Sequence, residues 1–191
     1  MSIPNVFAEH AAVTERAAAE LPPVLERIVD TVEECLRTGH KVFACGNGGS
    51  AADAQHLVAE LVGRFLHERR ALAAIALTAD TAILTAVGND YGYDRIFSRQ
   101  LEGLAQKGDV LFAISTSGNS PNVLEAAQTA RGLGCIVVAL TGEREARLAD
   151  YADILVRAPS TVTARIQEIH TLCIHAIADS LDARLRQQVA P

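Results

Sequence analysis

Residues 109–121 read Asp-Val-Leu-Phe-Ala-Ile-Ser-Thr-Ser-Gly-Asn-Ser-Pro. An apolar run of strand length, 109–114, leads into a turn and then to Pro121, which suits the first position of a helix. The turn carries four hydroxyl groups in six residues, although one serine suffices to cap a helix. The surplus hydroxyls indicate a cradle of neutral donors for an anion. Without Lys or Arg, such a cradle suits a phosphomonoester on a small metabolite better than a nucleoside triphosphate with Mg²⁺.

The same succession of short apolar run and longer helical stretch recurs along the chain. Strands that are apolar on both faces and separated by helices are typical of a parallel sheet covered on both sides. The sequence therefore predicts one Rossmann-like α/β domain over 1–191, with a five-stranded parallel sheet flanked by helices. A helical pair broken at Pro22 precedes the sheet, and one long helix over 164–188 follows it. The predicted strands are 41–45, 72–77, 109–114, 135–140 and 153–156.

A second unusual loop follows the first predicted strand. Residues 45–50 read Cys-Gly-Asn-Gly-Gly-Ser, and a helix begins at about Ala51. Ligands of open parallel sheets bind beyond the carboxyl ends of the strands, and glycines let the backbone approach them closely. The loop is neither a GxGxxG dinucleotide fingerprint nor a Walker A loop, because no Lys follows. Taken alone, it is also compatible with a tight strand-to-helix turn.

Polar side chains interrupt two otherwise apolar helices. His56 and Glu60 are four residues apart and share one helix face, with apolar neighbours on either side. They suit a metal pair, a general base held in place, or a solvated helix pair. The C-terminal helix carries His170 and His175 among apolar residues. With no redox motif, cofactor fingerprint or catalytic triad in the sequence, the chemistry left open is proton transfer.

Composition excludes several classes of protein. The chain has 17 Lys and Arg against 23 Asp and Glu, a net charge of -6, which disfavours nucleic-acid binding. No stretch approaches the roughly 20 apolar residues of a membrane span, and the first residues do not resemble a secretory signal. The four cysteines match no metal or redox spacing, which favours free thiols in the cytoplasm.

Five motifs occur in the order in which one known family carries them. Together they closely resemble the phosphoheptose isomerases of the SIS superfamily of sugar isomerases, and the match runs over nearly the whole chain. Each motif alone is moderate support, whereas the ordered set is highly specific. The motifs are Gly46-Asn-Gly-Gly-Ser50, the run from His56 to Phe65, Gly88-Asn-Asp90, Ile114-Ser-Thr-Ser-Gly-Asn-Ser120, and Arg165-Ile-Gln-Glu-Ile-His170 followed by His175.

This resemblance implies an activity and an assembly. The reaction is the conversion of sedoheptulose 7-phosphate to D-glycero-D-manno-heptose 7-phosphate through an enediol. It is the first step toward the activated heptoses of lipopolysaccharide core or other surface glycans. The resemblance further implies a cytoplasmic homotetramer with active sites at subunit interfaces and one Zn²⁺ per subunit. The helical pair within 1–39 would contribute to oligomer packing.

The resemblance also assigns roles to individual residues. The phosphate would be held by Ser50, Ser115, Ser117 and Ser120, and the sugar would be lined by Asn47, Gly48, Gly49, Asn89, Asp90, Thr116 and Gln167, with Arg64 nearby. The zinc ligands would be His56, Glu60, Gln167 and His175, and the catalytic pair would be Glu60 and His175.

Two features of the C-terminal helix bear on these roles. Gln167 and His175 are eight residues apart, roughly 12 Å of helix rise, which is a long span for two ligands of one ion. Either both side chains are extended, or the helix bends, or the two residues come from different subunits. In addition, Ala164 stands where some family members carry an Asp, so a sugar contact at that position is in doubt.

Three other functions share the superfamily. The DnaA initiator-associating protein is a tetrameric scaffold whose usual sequences lack the carboxylate and histidine found here as Glu60 and His175. Polar groups retained on apolar helix faces favour an enzyme over that scaffold. A second alternative is an isomerase of another sugar phosphate. A regulatory sugar-phosphate sensor would add a DNA-binding domain, for which 191 residues are expected to leave no room.

Overall fold

One parallel sheet forms the centre of the protein. The structure is a computed structural model that describes residues 2–185. Its five strands are all parallel and lie in the order β2-β1-β3-β4-β5. The predicted five-stranded parallel sheet is therefore confirmed. The strands are β1 (Val42–Gly46), β2 (Ala74–Ala76), β3 (Val110–Ile114), β4 (Ile136–Thr141) and β5 (Ile154–Arg157).

Within residues 2–185, seven α-helices flank the sheet, together with two short 3₁₀ turns at Tyr93–Arg95 and Arg147–Tyr151. The predicted helical pair is present and breaks at Leu21, because Pro22 begins the second helix. The long C-terminal helix is present as well, whereas its predicted end at Gln188 lies outside the described residues. The helices are α1 (Ile3–Glu20), α2 (Pro22–Arg37), α3 (Gly49–Val62), α4 (Thr81–Tyr91), α5 (Ser98–Leu104), α6 (Pro121–Gly132) and α7 (Thr163–Leu185).

Two hydrophobic cores lie on the two faces of the sheet. Successive side chains of a strand point to opposite faces, so that Phe112 belongs to one core and Leu111 to the other. The first core packs β1, β3 and β4 against α2, α3 and α7. The second packs the same strands against α5 and α6. This double burial explains why the strands read as uninterrupted apolar runs.

The second strand is shorter than its predicted span of 72–77. Only Ala74–Ala76 pair with β1, although Leu72 and Leu77 are buried and donate their N–H groups to Leu61 and Ala44. Because β2 is an edge strand, the burial of flanking residues does not extend its ladder. A short edge is one way in which proteins avoid unwanted strand pairing.

The structure also tests two predictions from composition. All four cysteines, which the sequence predicts to be free thiols, are buried and unpaired with one another in the structure. Among residues 2–185, no helix combines the length and the apolar character needed to cross a membrane.

His170 is a fully buried histidine in the middle of α7. Its Nε2 lies 3.0 Å from the carbonyl oxygen of Thr141, at the end of β4. Burial lowers the pKa of His170 from the usual 6.5 to about 4, although the hydrogen bond to Thr141 partly opposes that effect. The imidazole is therefore neutral in the folded protein at neutral pH.

This buried histidine should make folding stability sensitive to mild acid. Its pKa is lower in the folded than in the unfolded protein, so the unfolded chain binds more protons between the two values. We expect the free energy of unfolding to fall by about 2 kcal/mol between pH 7 and pH 5 from this group. Urea unfolding at several pH values would measure it, with His170→Gln as the comparison. An equally steep pH dependence in His170→Gln would contradict the prediction.

Candidate active site

Two loops face each other at the carboxyl end of the sheet. The chain passes from β1 outward to the edge strand β2 and then back across to β3. The carboxyl ends of β1 and β3 therefore border the point where the strand order reverses, the usual ligand site of such sheets. Gly46 is paired with Ile114 in the β1–β3 register, so the glycine loop 46–50 and the serine loop 115–120 start side by side.

The serine loop brings its hydroxyl groups together. The Oγ atom of Ser115 lies 3.1 Å from that of Ser120 and 3.5 Å from that of Ser117. Ser120 precedes α6, yet its side chain makes no capping hydrogen bond. Gly118 turns the loop with a φ of 61°, a conformation that favours glycine. The predicted convergence of hydroxyls is therefore present, and the hydroxyl of Ser120 is not used as a helix cap.

An asparagine pair ties the two loops together. The side-chain amides of Asn47 and Asn122 donate to each other's oxygen atoms, both at 2.8 Å. The hydroxyl of Tyr93 donates to the same Asn47 oxygen at 3.2 Å. Asn47 is among the predicted sugar contacts, whereas Asn122 and Tyr93 were missed. Asn122 is the second residue of α6 and only 1% exposed, and nothing in the local sequence marks it as buried.

A cluster of three titratable side chains joins α3 to α7. The Nε2 atom of His56 lies 3.1 Å from Glu60 Oε1 and 3.3 Å from the Nε2 atom of His175. One ligand atom from each residue falls within 4.8 Å of the others. The phenyl ring of Phe65 stacks on His175 with the ring centroids 5.4 Å apart. The structure therefore brings together three of the four predicted metal ligands, which include both predicted catalytic residues.

This donor set fits a zinc ion chemically. Two imidazole nitrogens and one carboxylate oxygen are ligands that catalytic zinc sites commonly use, with the fourth position left for water or substrate. The two Nε2 atoms face each other, and without a metal one of them must carry a proton that the other accepts. A cation between them would satisfy both lone pairs.

Gln167, the fourth predicted ligand, lies elsewhere in the same chain. A side chain at Gly49 would overlap the Nε2 atom of Gln167, so the side chain of Gln167 rests against the glycine loop. Helices α3 and α7 run side by side in the same direction, and Thr171 donates to Asp53 at 2.9 Å between this point and the cluster. Within one chain, Gln167 therefore lies with the sugar contacts rather than with His56.

Asp53 is a buried carboxylate between the glycine loop and the cluster. Burial raises its pKa, which the hydrogen bond from Thr171 and the charge of His56 only partly oppose. The sequence analysis missed it, although its position three residues before His56 places it on nearly the same face of α3.

The other predicted sugar contacts are peripheral in this chain. Asn89 and Asp90 lie at the end of α4, both are exposed, and Asn89 donates to Asp90 at 2.7 Å. Arg64 is exposed as well, and its Nε is 3.7 Å from a carboxylate oxygen of Glu68. These side chains are available to a ligand or to another subunit.

A cavity of about 210 Å³ opens beside the serine loop. Its walls include two segments that the sequence analysis did not single out: 142–145 after β4, and Ser160, Thr161 and Thr163 at the entry to α7. Gly142 allows these walls to approach, because a Cβ there would lie 3.0 Å from the carbonyl oxygen of Thr116. The polar lining, Thr116, Ser117, Asn119, Ser160, Thr161 and Thr163 with the charged residues Glu143, Arg144 and Glu145, suits a polyhydroxylated ligand.

Comparisons with known proteins show which family and fold this chain resembles. The SIS domain family matches residues 6–142. The phosphoheptose isomerase of Helicobacter hepaticus is 53% identical over 163 residues, 85% of this chain and 83% of the relative. The solved structure of phosphoheptose isomerase from Neisseria gonorrhoeae gives a TM-score of 0.90 at 45% identity, covering 95% of this chain and 97% of that one. The structure from Francisella tularensis gives 0.92 at 40% identity, covering 95% and 96%.

Proposed function

This chain belongs to the phosphoheptose isomerase family of SIS-domain proteins, and we propose that it converts sedoheptulose 7-phosphate to D-glycero-D-manno-heptose 7-phosphate. Two features of this chain carry the proposal: a hydroxyl-rich loop at the carboxyl end of the sheet, and a Glu–His cluster further along α3 and α7, which an active site at a subunit interface would bring together. The loop suits a phosphate ester, and the cluster suits proton transfer. The product would enter the synthesis of activated heptoses.

The chemistry needs one base near two carbons and one proton carrier near two oxygens. Glu60 takes a proton from C1 of the ketose while O2 receives a proton, which gives an enediol. The proton then returns to C2 while O1 loses its own proton and becomes the aldehyde oxygen. His175 is suited to moving the protons on the oxygens, since a histidine side chain can both donate and accept a proton. The serine loop holds the phosphate and thereby fixes the carbon chain.

We propose that the metal is zinc, one ion per subunit. His56, Glu60 and His175 would hold it, and Gln167 would join them only from another subunit, given its place beside Gly49. A bound zinc ion supplies a Lewis acid that polarises carbon–oxygen bonds.

The assembly we propose is a cytoplasmic homotetramer with its active sites at subunit interfaces. The chain would act as one SIS domain over 1–191, whose helical pair packs on neighbouring subunits. Ile3 and Phe7 support this, because both are at least 70% exposed on α1 of the single chain. Four free buried thiols fit a reducing compartment. The small-molecule substrate requires neither nucleic acid nor membrane as a partner.

Turnover in D₂O is the direct test. Purified protein supplied with zinc is incubated with sedoheptulose 7-phosphate, and the sugar signals are followed by NMR. We expect aldoheptose 7-phosphate to form and deuterium to enter C1 or C2. Pentose and hexose phosphates, tested in parallel, distinguish an isomerase of another sugar phosphate. No turnover of any of them by a confirmed tetramer would overturn the proposal in favour of a scaffold role.

The serine loop makes its own prediction. Ser117→Ala should raise KM for sedoheptulose 7-phosphate about tenfold or more with a smaller change in kcat, because a hydrogen bond to a charged group is lost. Steady-state kinetics would measure both constants. Ser180→Ala, in a half-buried serine of α7 outside both loops, is the matched control. An unchanged KM in Ser117→Ala would remove this hydroxyl from the phosphate site.

A further inference from the structure

A buried ion pair lies directly behind the Glu60–His175 cluster. Arg69 and Asp182 are both fully buried at their side chains, and Arg69 Nε lies 2.6 Å from Asp182 Oδ1. No role in the proposed reaction has been given to either residue. Burying two charges costs several kcal/mol of desolvation per ion before their attraction offsets it, so such a pair is poor evidence of stabilisation alone.

The guanidinium of Arg69 closes the end of α3. It donates to the carbonyl oxygen of Glu60 at 2.7 Å and to that of Leu61 at 2.9 Å. These carbonyls belong to the last turn of the helix, where no intrahelical donor is available. Arg69 therefore fixes the backbone that carries the proposed catalytic base.

The carboxylate of Asp182 organises the segment after α3. Its Oδ2 accepts three consecutive backbone N–H groups, from Phe65 at 3.1 Å, Leu66 at 2.9 Å and His67 at 3.0 Å. Asp182 lies seven residues after His175, two turns along the same face of α7. One carboxylate thus ties the segment 63–68 to the helix that carries the proposed proton carrier.

Phe65 connects the anchored segment 63–68 to the Glu60–His175 cluster. Its half-buried ring stacks on the His175 imidazole at an interplanar angle of 24°. The edge of the His175 ring carries Nε2, which faces His56. The direction in which Nε2 points therefore depends on where the Phe65 ring sits.

We propose that the Arg69–Asp182 pair is a positioning device, which holds the segment 63–68 so that Phe65 fixes the imidazole of His175 beside Glu60. The proposal rests on the proposed isomerase activity for its catalytic consequence. Its structural consequence, an ordered stack of Phe65 on His175, is independent of that activity. Arg69, Asp182 and Phe65 are positioning residues, because they act through Glu60 and His175.

Asp109 provides a matched control for Asp182. It is also fully buried, accepts the backbone N–H groups of Lys41 and Gln106, and pairs with the Lys41 ammonium at 3.2 Å. It precedes β3, and its side-chain partners His40, Lys41 and Gln106 do not belong to the cluster. Asp109→Asn and Asp182→Asn make the same chemical change in similar networks, and only Asp182 is bonded to the segment 65–69.

The kinetic arm compares these two variants as folded enzymes. We expect Asp182→Asn to lower kcat about 10- to 100-fold with KM changed less than about twofold, because small displacements of reacting groups cost this much. Asp109→Asn should lose stability but keep kcat per folded molecule. Phe65→Leu, which leaves the ion pair intact, should lower kcat as Asp182→Asn does. Phe65→Tyr, which keeps an aromatic ring beside His175, should have the wild-type kcat. Equal kcat in Asp182→Asn and Asp109→Asn would overturn the proposal.

The structural arm needs no activity. An aromatic ring stacked on His175 shifts the ring-proton signals of that histidine, which NMR of histidine-labelled protein resolves after assignment with His175→Gln. Phe65→Leu should move those signals strongly and Asp182→Asn should move them in the same direction, whereas Asp109→Asn should not. Unmoved signals in Asp182→Asn would overturn the positioning role. If the wild type proved inactive, only the proposed function would fail.

Discussion

Replacing Glu60 with Gln is expected to lower kcat by about 10²- to 10⁴-fold, the contribution of a well-placed general base. The amide has nearly the shape of the carboxylate but cannot accept the proton from C1. Glu60 also lies 3.1 Å from His56 Nε2, so the substitution leaves that imidazole without its ionic neighbour. The serine loop is untouched, and binding of the phosphate ester should change little.

The measurement separates chemistry from binding. Exchange of the C1 proton for solvent deuterium reports the first proton transfer, and calorimetric titration with sedoheptulose 7-phosphate reports binding. Zinc content is measured in the same samples, because Glu60 is also a proposed ligand. Glu34→Gln, an exposed carboxylate on α2 that is not part of the cluster, is the control. A Glu60→Gln protein that exchanges C1 protons at the wild-type rate would exclude Glu60 as the base.

Much of the fold was predictable because its strands are buried on both faces. β1 and β3 read as continuous apolar runs, and each predicted strand lies within a few residues of the observed one. The edge strand was predicted too long, since Leu72 and Leu77 are buried by packing rather than by pairing. The pattern of apolar residues in a sequence indicates which residues are buried. At the edge of a sheet, a residue can be buried without being paired with a neighbouring strand.

The candidate site was predictable where its residues are close in sequence. The serine loop and the His56–Glu60 pair are local patterns, and the structure shows the contacts within each of them. Asn122 and Asp182 were not predictable, because each acts through a partner at least 75 residues away. A single Asn or Asp in a helix resembles a solvent-facing residue until the tertiary contact is known.

Gln167 and His175 lie on the same helix, and their spacing in the sequence does not decide whether they reach one metal ion. Eight residues between Gln167 and His175 were compatible with extension, bending or two subunits. In the structure, Gln167 contacts the glycine loop at Gly49, while His175 contacts His56 further along the parallel helix α3. Within one chain, the alignment of α3 and α7 places these two side chains at different points of α3, and that alignment depends on packing rather than on local sequence.

Gly46→Ala is expected to destabilise the fold by about 3 kcal/mol, the upper end of what an inserted methyl costs in a packed site. A Cβ atom at this position would lie 2.6 Å from the carbonyl oxygen of Ser50 and 2.9 Å from that of Ile114. Both are backbone atoms, so a side-chain rotation cannot relieve the overlap. The methyl would force the glycine loop away from β3, and catalysis should fall together with stability.

The same substitution in an open position provides the control. Gly103 lies in the exposed part of α5, and a Cβ there would meet no atom within 4 Å. Gly103→Ala should therefore stabilise the protein by about 0.5–1 kcal/mol, because alanine loses less backbone entropy on folding. Urea unfolding measures the change in stability of both variants, and the two changes should have opposite signs. The value of kcat/KM is measured at urea concentrations below the unfolding transition. If Gly46→Ala were as stable and active as wild type, the prediction would be wrong. The proposed substrate site would then not depend on the close approach of the glycine loop to β3.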